Sequence, residues 1–343
     1  MNDFISCELK RSSSVISGID PSVIRAAADM ISESVRKGGQ VIFMGNGGSS
    51  ADAQHIAAEF SGKYAFHRPP MAGVSLSNIA PVTAIGNDYT YDLVFQRQVE
   101  AVCREGDVVV GLSTSGNSRN IILAVEMAKR KGAKTISFTG DGGVLKEMTD
   151  LGVIIPTRET PRVQEGYLVA CHAICGIVER EVFGQKAVFV DRDDTIVKDV
   201  PYCNDPGKLK LLPGVPKAIS RLKDAGYLVI MVTNQSGIAR GMLDEDILGA
   251  IHDRLMREIE AEGGSIDDIF FCPHHPDDGC DCRKPEIGMG IAAILKHNIN
   301  PTISVMIGDN DKDVEFGKRL GLKTYKVSDR KTFVDVVDEM LSG

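Results

Sequence analysis

The stretch Lys-Ala-Val-Phe-Val-Asp-Arg-Asp-Asp-Thr-Ile-Val, residues 186–197, decides the fold of the second half of the chain. Its four apolar residues, 187–190, are followed at once by Asp191 and, two residues later, by Asp193. A short apolar run bounded by polar residues is typical of a buried parallel strand, and ligands bind at the carboxyl ends of such strands. One carboxylate can attack a phosphorus atom while its neighbour transfers a proton. The stretch therefore predicts a strand that presents two catalytic acids to a cleft, and the alternative is an acidic surface turn.

Two further strand ends are predicted to complete this cleft. The run at residues 228–232 leads into Thr233 and Asn234, and we expect the Thr233 hydroxyl to hold a phosphoryl oxygen. The run at residues 304–307 leads through a glycine into Asp309. Magnesium prefers oxygen ligands, so an ion here would take carboxylate and carbonyl oxygens from the protein, together with waters. The predicted set is the Asp191 and Asp309 carboxylates and the backbone carbonyl of Asp193.

A cysteine-rich loop lies between these strands. Four candidate ligands occur within eleven residues: Cys272, His274, Cys280 and Cys282. Three thiolates and one imidazole predict a closed, tetrahedral and therefore structural zinc site, with free buried cysteines as the alternative. The adjacent Arg283 and Lys284 would then lie beside the phosphate, where their charges offset that of a phosphoaspartate.

These features resemble the haloacid dehalogenase-like phosphatases, and the match extends over residues 186–343. The zinc loop narrows the resemblance to heptose 1,7-bisphosphate phosphatases and the related histidinol phosphatases. The resemblance implies that Asp191 is the nucleophile and that Asp193 first protonates the leaving alcohol and then activates water. Two departures from the family pattern are Asp194, where glycine is usual, and Asn310, where a basic residue is common. They raise the alternative of an impaired or altered phosphatase.

The first half contains two strand-to-helix turns rich in glycine or hydroxyl groups. The run at residues 41–44 leads into Gly-Asn-Gly-Gly-Ser-Ser, which includes Asn46 and Ser49. The run at residues 108–112 leads into a second turn, residues 113–118, whose hydroxyl groups belong to Ser113, Thr114, Ser115 and Ser118. Glycine lets the backbone approach a ligand, and a helix N-terminus favours anions. Together the turns predict a phosphate site, and further strands at 135–139 and 153–155 complete a parallel α/β pattern.

Two helical segments carry candidate chemistry. His55 and Glu59 are four residues apart, so they share one helix face. Gln164 and His172 are eight apart on a mostly apolar segment, residues 163–183, for which a core helix with a hydrogen-bonded histidine is the simpler interpretation. The alternatives are an acid opposite a carboxylate base, or a metal site of the four side chains.

Four motifs of this half, at residues 45–64, 85–92, 111–118 and 162–172, resemble the phosphoheptose isomerases, which have the sugar-isomerase fold. They read GNGGSSADAQHIAAEFSGKY, IGNDYTYD, GLSTSGNS and RVQEGYLVACH, and the match covers residues 1–185. The resemblance implies that the hydroxyl-rich turn and Ser49 hold the substrate phosphate, and that Asn46 and Asp88 contact the sugar chain.

The same resemblance implies the catalytic roles. Glu59 would transfer a proton between C1 and C2 of the sugar, and His172 would be the acid that assists ring opening or enolisation. Some members bind zinc through residues that match His55, Glu59, Gln164 and His172. The family also implies a homotetramer with sites formed between subunits. Lys63, where arginine is common, and Pro161, in place of an acid, are departures that concern the sugar-chain contacts.

Composition agrees with two enzymes in one chain. The 343 residues suffice for about two domains, and the net charge of −8 favours neither nucleic acid nor a membrane surface as partner. Residues 1–10 do not resemble a leader peptide, no run of about 18 apolar residues occurs, and only three of the eight cysteines cluster. We therefore expect a soluble cytoplasmic protein with reduced thiols.

The predicted fold class is α/β, with two doubly wound parallel-sheet domains at residues 1–185 and 186–343. The first has the sugar-isomerase fold, and the second has the Rossmann-like haloacid dehalogenase fold with a zinc loop. The predicted function is isomerisation of sedoheptulose 7-phosphate to D-glycero-D-manno-heptose 7-phosphate and removal of the 7-phosphate from heptose 1,7-bisphosphate. A separate kinase would add the 1-phosphate. Alternatives are a phosphosugar sensor fused to a phosphatase, and a second half that acts on histidinol phosphate or is inactive.

Overall fold

The computed structural model describes residues 2–342. The chain forms two compact units, of which the first ends at Val182 and the second begins at Phe183. The boundary predicted from the sequence lies three residues further on, between residues 185 and 186. Within the described residues, no helix has both the length and the apolar character needed to cross a membrane.

The first unit contains one parallel five-stranded sheet with strand order β2-β1-β3-β4-β5. Its strands are β1 (Val41–Gly45), β2 (Gly73–Ser75), β3 (Val108–Ser113), β4 (Lys134–Thr139) and β5 (Leu151–Ile154). Its helices are α1 (Asn2–Ser17), α2 (Pro21–Arg36), α3 (Gly48–Ser61), α4 (Ile79–Asp88), α5 (Gln96–Val102), α6 (Arg119–Arg130), α7 (Leu145–Met148) and α8 (Thr160–Phe183).

The central strands of this sheet bring the two predicted turns together. Every residue of β1 and β3 is buried, which explains their continuous apolar runs. The strands pair in parallel, with Gly45 opposite Leu112. Because both strands end at the same edge of the sheet, the glycine-rich turn and the hydroxyl-rich turn are neighbours.

The second unit contains another parallel five-stranded sheet, with strand order β10-β9-β6-β7-β8. Its strands are β6 (Ala187–Val190), β7 (Leu228–Asn234), β8 (Asp268–Cys272), β9 (Val305–Gly308) and β10 (Lys323–Lys326). Its helices are α9 (Val215–Asp224), α10 (Glu245–Glu260), α11 (Gly288–His297), α12 (Asp311–Arg319) and α13 (Phe333–Ser342). Strand β6 lies at the centre, between β7 and β9, so the ends of all three predicted site strands meet.

The predicted fold class, two parallel α/β sheets, is confirmed. The strand that precedes Asp191 is fully buried, as its apolar run predicts. Helix α2 begins at Pro21, and the Asp20 carboxylate caps it by accepting the Ser22 N–H at 2.8 Å. Helix α1 and the three-residue strand β2 were not predicted from the sequence. Helix α1 buries none of its residues, and β2 is too short to show a repeating hydrophobic pattern.

Candidate active sites

The glycine-rich turn after β1 requires its glycines at two points. Gly47 has φ of 56°, in the left-handed region that favours glycine. A Cβ at Gly48 would lie 2.4 Å from Nε2 of Gln164, so the start of α3 passes directly against this side chain. Neighbouring Asn46 forms a reciprocal amide pair with Asn120, at 2.9 and 2.8 Å, and accepts the Tyr91 hydroxyl at 2.9 Å.

The hydroxyl-rich turn is held by hydrogen bonds among its own residues. Ser113 Oγ lies 3.0 Å from Ser118 Oγ, and Ser115 Oγ accepts the Asn117 N–H at 3.2 Å. Ser118 is the N-terminal cap residue of α6, yet its side chain makes no capping bond to that helix. The first N–H groups of this twelve-residue helix thus lack a side-chain acceptor from the cap, next to the serine hydroxyls. Such an arrangement suits an anion, as predicted.

A second group of polar residues lies where α3 packs against α8. Ligand atoms of His55, Glu59 and His172 all lie within 4.8 Å of one another. His55 Nε2 is 3.2 Å from Glu59 Oε1, and the two imidazole rings meet edge to face at 5.0 Å between centroids. Tyr64 stacks on the other imidazole, that of His172, at 5.7 Å between centroids. Two nitrogens and one carboxylate with an open side match the ligands of a catalytic zinc.

The environment of His172 favours its neutral form. Partial burial lowers the pKa of this imidazole, and the charge of His55 lowers it further, while Glu59 opposes the shift. A neutral imidazole can bind a metal ion or exchange a proton near neutral pH.

Gln164 lies apart from these three side chains in the same chain. It precedes His172 by eight residues on one helix, a separation of about 12 Å along the axis. Beside it, the Tyr167 hydroxyl lies 2.8 Å from Ser49 Oγ and 2.9 Å from Asp52 Oδ2. Among the described residues, Asp88 makes no hydrogen bond or ion pair with these side chains either. It is exposed at the end of α4 and accepts a hydrogen bond from the Asn87 amide at 2.9 Å. The candidate isomerase residues therefore divide between the phosphate turns and the α3–α8 cluster.

One buried ion pair behind this cluster was not predicted. Arg68 Nε donates to Glu179 Oε1 at 2.8 Å, and the Glu179 carboxylate also accepts the N–H groups of Tyr64 and Ala65 at 2.9 and 2.7 Å. Arg68 Nη2 donates to the backbone carbonyl of Glu59 at 2.8 Å. The pair thus holds the end of α3 and the loop that carries the tyrosine over His172.

In the second unit, Asp191 is held by a lysine from the distant cysteine loop. Lys284 Nζ donates to Asp191 Oδ1 at 2.5 Å and to the Val232 carbonyl at 2.7 Å, and it pairs with Asp313 Oδ1 at 2.6 Å. Burial raises the pKa of the Asp191 carboxyl, and the charge of Lys284 opposes that rise. Asn234 accepts the Lys284 N–H at 3.0 Å and donates to its carbonyl at 3.1 Å, which fixes the lysine backbone.

A cluster of carboxylates lies at the same point. Oxygens of Asp191, Asp309 and Asp313 fall within 4.8 Å of one another, and two of the three residues are buried. Lys284 is shared by two of these three carboxylates, so negative charge remains in excess, and the oxygens fit a hard cation. Asp313 was not among the predicted ligands, although its position four residues after Asp309 places it in the first turn of α12, facing the strand ends.

Asp193 is held in a different way. Its carboxylate accepts Nε and Nη2 of Arg192, both at 3.0 Å, and Nε2 of Gln235 at 3.1 Å. The same Gln235 amide donates to the buried Thr233 hydroxyl at 2.8 Å. The predicted acid–base residue and the predicted phosphate ligand are therefore joined through one glutamine.

These side chains surround a cleft of about 230 Å³. Its lining residues are Asp191, Asp193, Asp194, Asp199, Thr233, Asn234, Lys284, Asp309, Asn310, Lys312 and Asp313. Arg283, which the sequence places beside the phosphate, is not among them. Its Nη1 is buried without a hydrogen-bond partner in the described part of the chain.

Asp194, where glycine is usual, adopts the conformation that a glycine would permit. Its φ is 47°, which aspartate tolerates better than most residues. Its carboxylate accepts Lys198 Nζ at 2.6 Å and the Asp199 N–H at 3.2 Å. The extra negative charge is therefore paired with a lysine.

The cysteine loop forms a compact cluster of four potential ligands. Cys282 Sγ lies 3.3 Å from Cys272 Sγ, 3.5 Å from Cys280 Sγ and 3.2 Å from His274 Nδ1. Ligands in a tetrahedral Zn–S₃N site are separated by roughly 3.3 to 3.8 Å, so the four residues fit zinc. The adjacent His275 instead caps the short turn Pro276–Asp278.

Comparisons with known proteins agree with this division of sites. Residues 8–140 match the SIS domain family, and residues 281–336 match the HAD-hydrolase-like family. The phosphoheptose isomerase of Burkholderia pseudomallei (strain K96243) is 48% identical over 167 residues, which are 48% of this chain and 85% of that protein. The chain belongs to the phosphoheptose isomerase family. The Geobacter sulfurreducens member of the family is 42% identical over 188 residues, 53% of this chain and 100% of that protein.

Unlike these family members, the chain continues into a second unit. A solved structure, the D,D-heptose 1,7-bisphosphate phosphatase of B. bronchiseptica complexed with magnesium and phosphate, is 31% identical; it covers 46% of this chain and 98% of that chain, with a TM-score of 0.43. The two family matches and the isomerase relatives confirm the predicted resemblances of the two halves, to the phosphoheptose isomerases and to haloacid dehalogenase-like enzymes.

Proposed function

We propose that this chain is a bifunctional enzyme of heptose precursor synthesis. Its first unit isomerises sedoheptulose 7-phosphate to D-glycero-D-manno-heptose 7-phosphate, and its second removes the 7-phosphate from heptose 1,7-bisphosphate. One observation carries the proposal: two candidate sites occur in a single chain. The chain belongs to the phosphoheptose isomerase family, and its second unit contains the buried Asp191, hydrogen-bonded to Lys284, with a second acid two residues later.

In the first unit, the hydroxyl-rich turn and Ser49 hold the 7-phosphate, and Asn46 and Asp88 contact the sugar chain. Glu59 removes a proton from C1 and returns it to C2. His172 assists ring opening and exchanges a proton with the sugar oxygens, for which the lowered pKa of its imidazole keeps it neutral.

Zinc fits this site as well. His55, Glu59 and His172 would hold the ion, and Gln164, predicted as the fourth ligand, would have to come from another copy of the chain. When bound there, zinc would supply a Lewis acid for a sugar carbonyl.

In the second unit, a carboxylate oxygen of Asp191 attacks the phosphorus, and the bond from phosphorus to the C7 oxygen breaks as Asp193 donates a proton to that oxygen. Asp193 then takes a proton from water, which attacks the phosphoaspartate and releases phosphate. Thr233 and Asn234 contact the phosphoryl group, and Lys284 offsets its charge. Arg283 does not line the cleft, so it would contact a part of the substrate that lies outside the cleft.

Two metal ions belong to this unit in the proposal. Asp191, Asp309 and Asp313, with the Asp193 carbonyl, would hold magnesium, which offsets the charge of the phosphate. Zinc held by the cysteine cluster would be structural and would fix the loop that carries Lys284.

We further propose that the enzyme is a cytoplasmic homotetramer assembled through its first unit. Helix α1 exposes Phe4 and Leu9, at 65% and 68%, while its other face is bonded to α8 through Ser12 and Glu165 at 2.7 Å. An exposed apolar stripe on a helix already fixed to its own chain suits a second copy. The partners in catalysis are phosphorylated heptoses, and neither nucleic acid nor a membrane is proposed as a partner.

The decisive experiment measures both reactions in the intact protein. Magnesium-dependent phosphate release is assayed with both anomers of heptose 1,7-bisphosphate and with histidinol phosphate, and isomerisation is assayed with sedoheptulose 7-phosphate. Asp191→Asn should abolish only phosphate release, and Glu59→Gln only isomerisation. Release from neither anomer, or preference for histidinol phosphate, would overturn the proposed phosphatase. Absence of isomerisation in the wild type would leave the first unit as a binding module.

A further inference from the structure

The cleft at Asp191 is lined by far more negative than positive charge. Six of its lining residues are aspartates, and two are lysines. In the proposed phosphatase, Lys284 and magnesium offset the charge of the reacting phosphate, so a second anionic group on the substrate needs a further cation that the aspartates have not already paired.

Most cations near the cleft are already paired. Lys284 is 3% exposed, and each of its three N–H donors has a partner: Asp191, Asp313 and a backbone carbonyl. Arg192 pairs with Asp193, and Lys198 pairs with Asp194.

Lys312 differs from these three cations. It is the second residue of α12 and is exposed at the cleft. Its ammonium group has no hydrogen-bond or ion-pair partner within residues 2–342. Its backbone is fixed, because its N–H donates to the Asn310 cap at 3.1 Å. It therefore presents a free ammonium on a flexible four-carbon stem from a rigid helix end.

We propose that Lys312 binds the second, non-reacting phosphate of the substrate and so makes the second unit prefer sugar bisphosphates. The inference rests on the proposed phosphatase function. The reacting phosphorus must reach Asp191, which is 8% exposed and already has a lysine beside it. A phosphate elsewhere on the substrate stays nearer the solvent, where the exposed Lys312 lies. A charge-assisted hydrogen bond of this kind is worth about tenfold in binding.

The test compares heptose 1,7-bisphosphate with p-nitrophenyl phosphate, which has no second phosphate. Lys312→Gln should raise KM for the bisphosphate about tenfold with kcat nearly unchanged. The ratio of kcat/KM between the two substrates should fall by a similar factor. Lys312→Arg, which keeps the charge, should retain most of the preference. Lys318→Gln removes one charge from the last turn of the same helix, outside the cleft, and serves as the matched control.

The two hypotheses fail separately. If the wild type hydrolyses the bisphosphate and Lys312→Gln leaves the ratio unchanged, or Lys318→Gln lowers it equally, the role of Lys312 is overturned and the phosphatase stands. If the wild type hydrolyses neither substrate, the proposed phosphatase is overturned, and the inference with it.

Discussion

Arg68 and Glu179 form an ion pair from which water is almost completely excluded. Nε of the arginine lies 2.8 Å from Oε1 of the glutamate, and their side chains are 1% and 0% exposed. Two backbone N–H groups also donate to the carboxylate, and three backbone carbonyls accept hydrogen bonds from the guanidinium. The pair joins α8 to the end of α3, so it connects the helices that carry His172 and Glu59.

Breaking this pair should destabilise the first unit. Glu179→Ala leaves a buried guanidinium without its counter-charge, which costs about 3–5 kcal/mol. We expect a large fall in the urea midpoint of that unit, together with lower isomerase activity. Glu33→Gln removes an exposed carboxylate of α2 that pairs with Lys37, the residue after that helix, and it should leave the midpoint unchanged. Equal midpoints for the two variants would contradict the structural role of the pair.

A second prediction concerns acid stability and rests on His252 in α10. This imidazole is 6% exposed, and burial lowers its pKa to about 4, with the nearby Arg192 charge acting in the same direction. In the unfolded chain its pKa is about 6.5. The unfolded state therefore takes up the proton first, and stability is lost as the pH falls from about 6.5 to about 4. The full loss from this residue is about 3 kcal/mol.

The measurement is the free energy of unfolding of the second unit at several pH values for wild type and His252→Phe. The phenylalanine cannot titrate and is close to histidine in size. The variant should be less sensitive to acid, so that its stability relative to wild type rises between pH 6.5 and 4. Parallel curves would show that His252 does not bind its proton differently in the two states.

Much of the second site could be predicted from local sequence. Asp191, Thr233 and Asp309 each follow an apolar run, and parallel strands place such residues together at one sheet edge. The hydrogen-bond partners of these residues were harder to predict from the sequence. Arg192 stands between the two acids with no pattern to indicate that its guanidinium turns back onto Asp193. Asp313 belongs to a helix whose orientation depends on how it packs against β9.

The first site shows a similar limit. The pair His55 and Glu59 follows from helical spacing alone. Arg68 and Glu179 are 111 residues apart in sequence, and neither lies in a repeating pattern. Their contact depends on how two helices and a loop pack in three dimensions. Local sequence patterns do not indicate that packing.

Removal of metal from the cysteine cluster should affect the two reactions differently. Cys282→Ser replaces one thiolate, so the loop that positions Lys284 should loosen, and phosphate release should fall at least tenfold. Isomerase activity should be retained, because none of its candidate residues lies in the second unit. Metal content, measured by mass spectrometry, should fall by about one zinc per chain. Cys7→Ser, at an exposed position in α1, is the control and should change neither metal content nor activity.

The last prediction concerns Asp194, whose charge is paired with Lys198 beside the cleft. Asp194→Asn keeps a residue type that tolerates positive φ and removes the negative charge, which leaves the Lys198 ammonium free near an anionic substrate. We expect KM for the bisphosphate to fall a few-fold, and the fall to diminish in high salt because the interaction lies near the surface. Asp194→Ala removes the same charge, but its methyl side chain strains the left-handed backbone, at a cost of about 1–2 kcal/mol. The alanine variant should therefore melt at a lower temperature than the asparagine variant. If KM rises in Asp194→Asn, the aspartate contributes to substrate binding, and the charge argument fails.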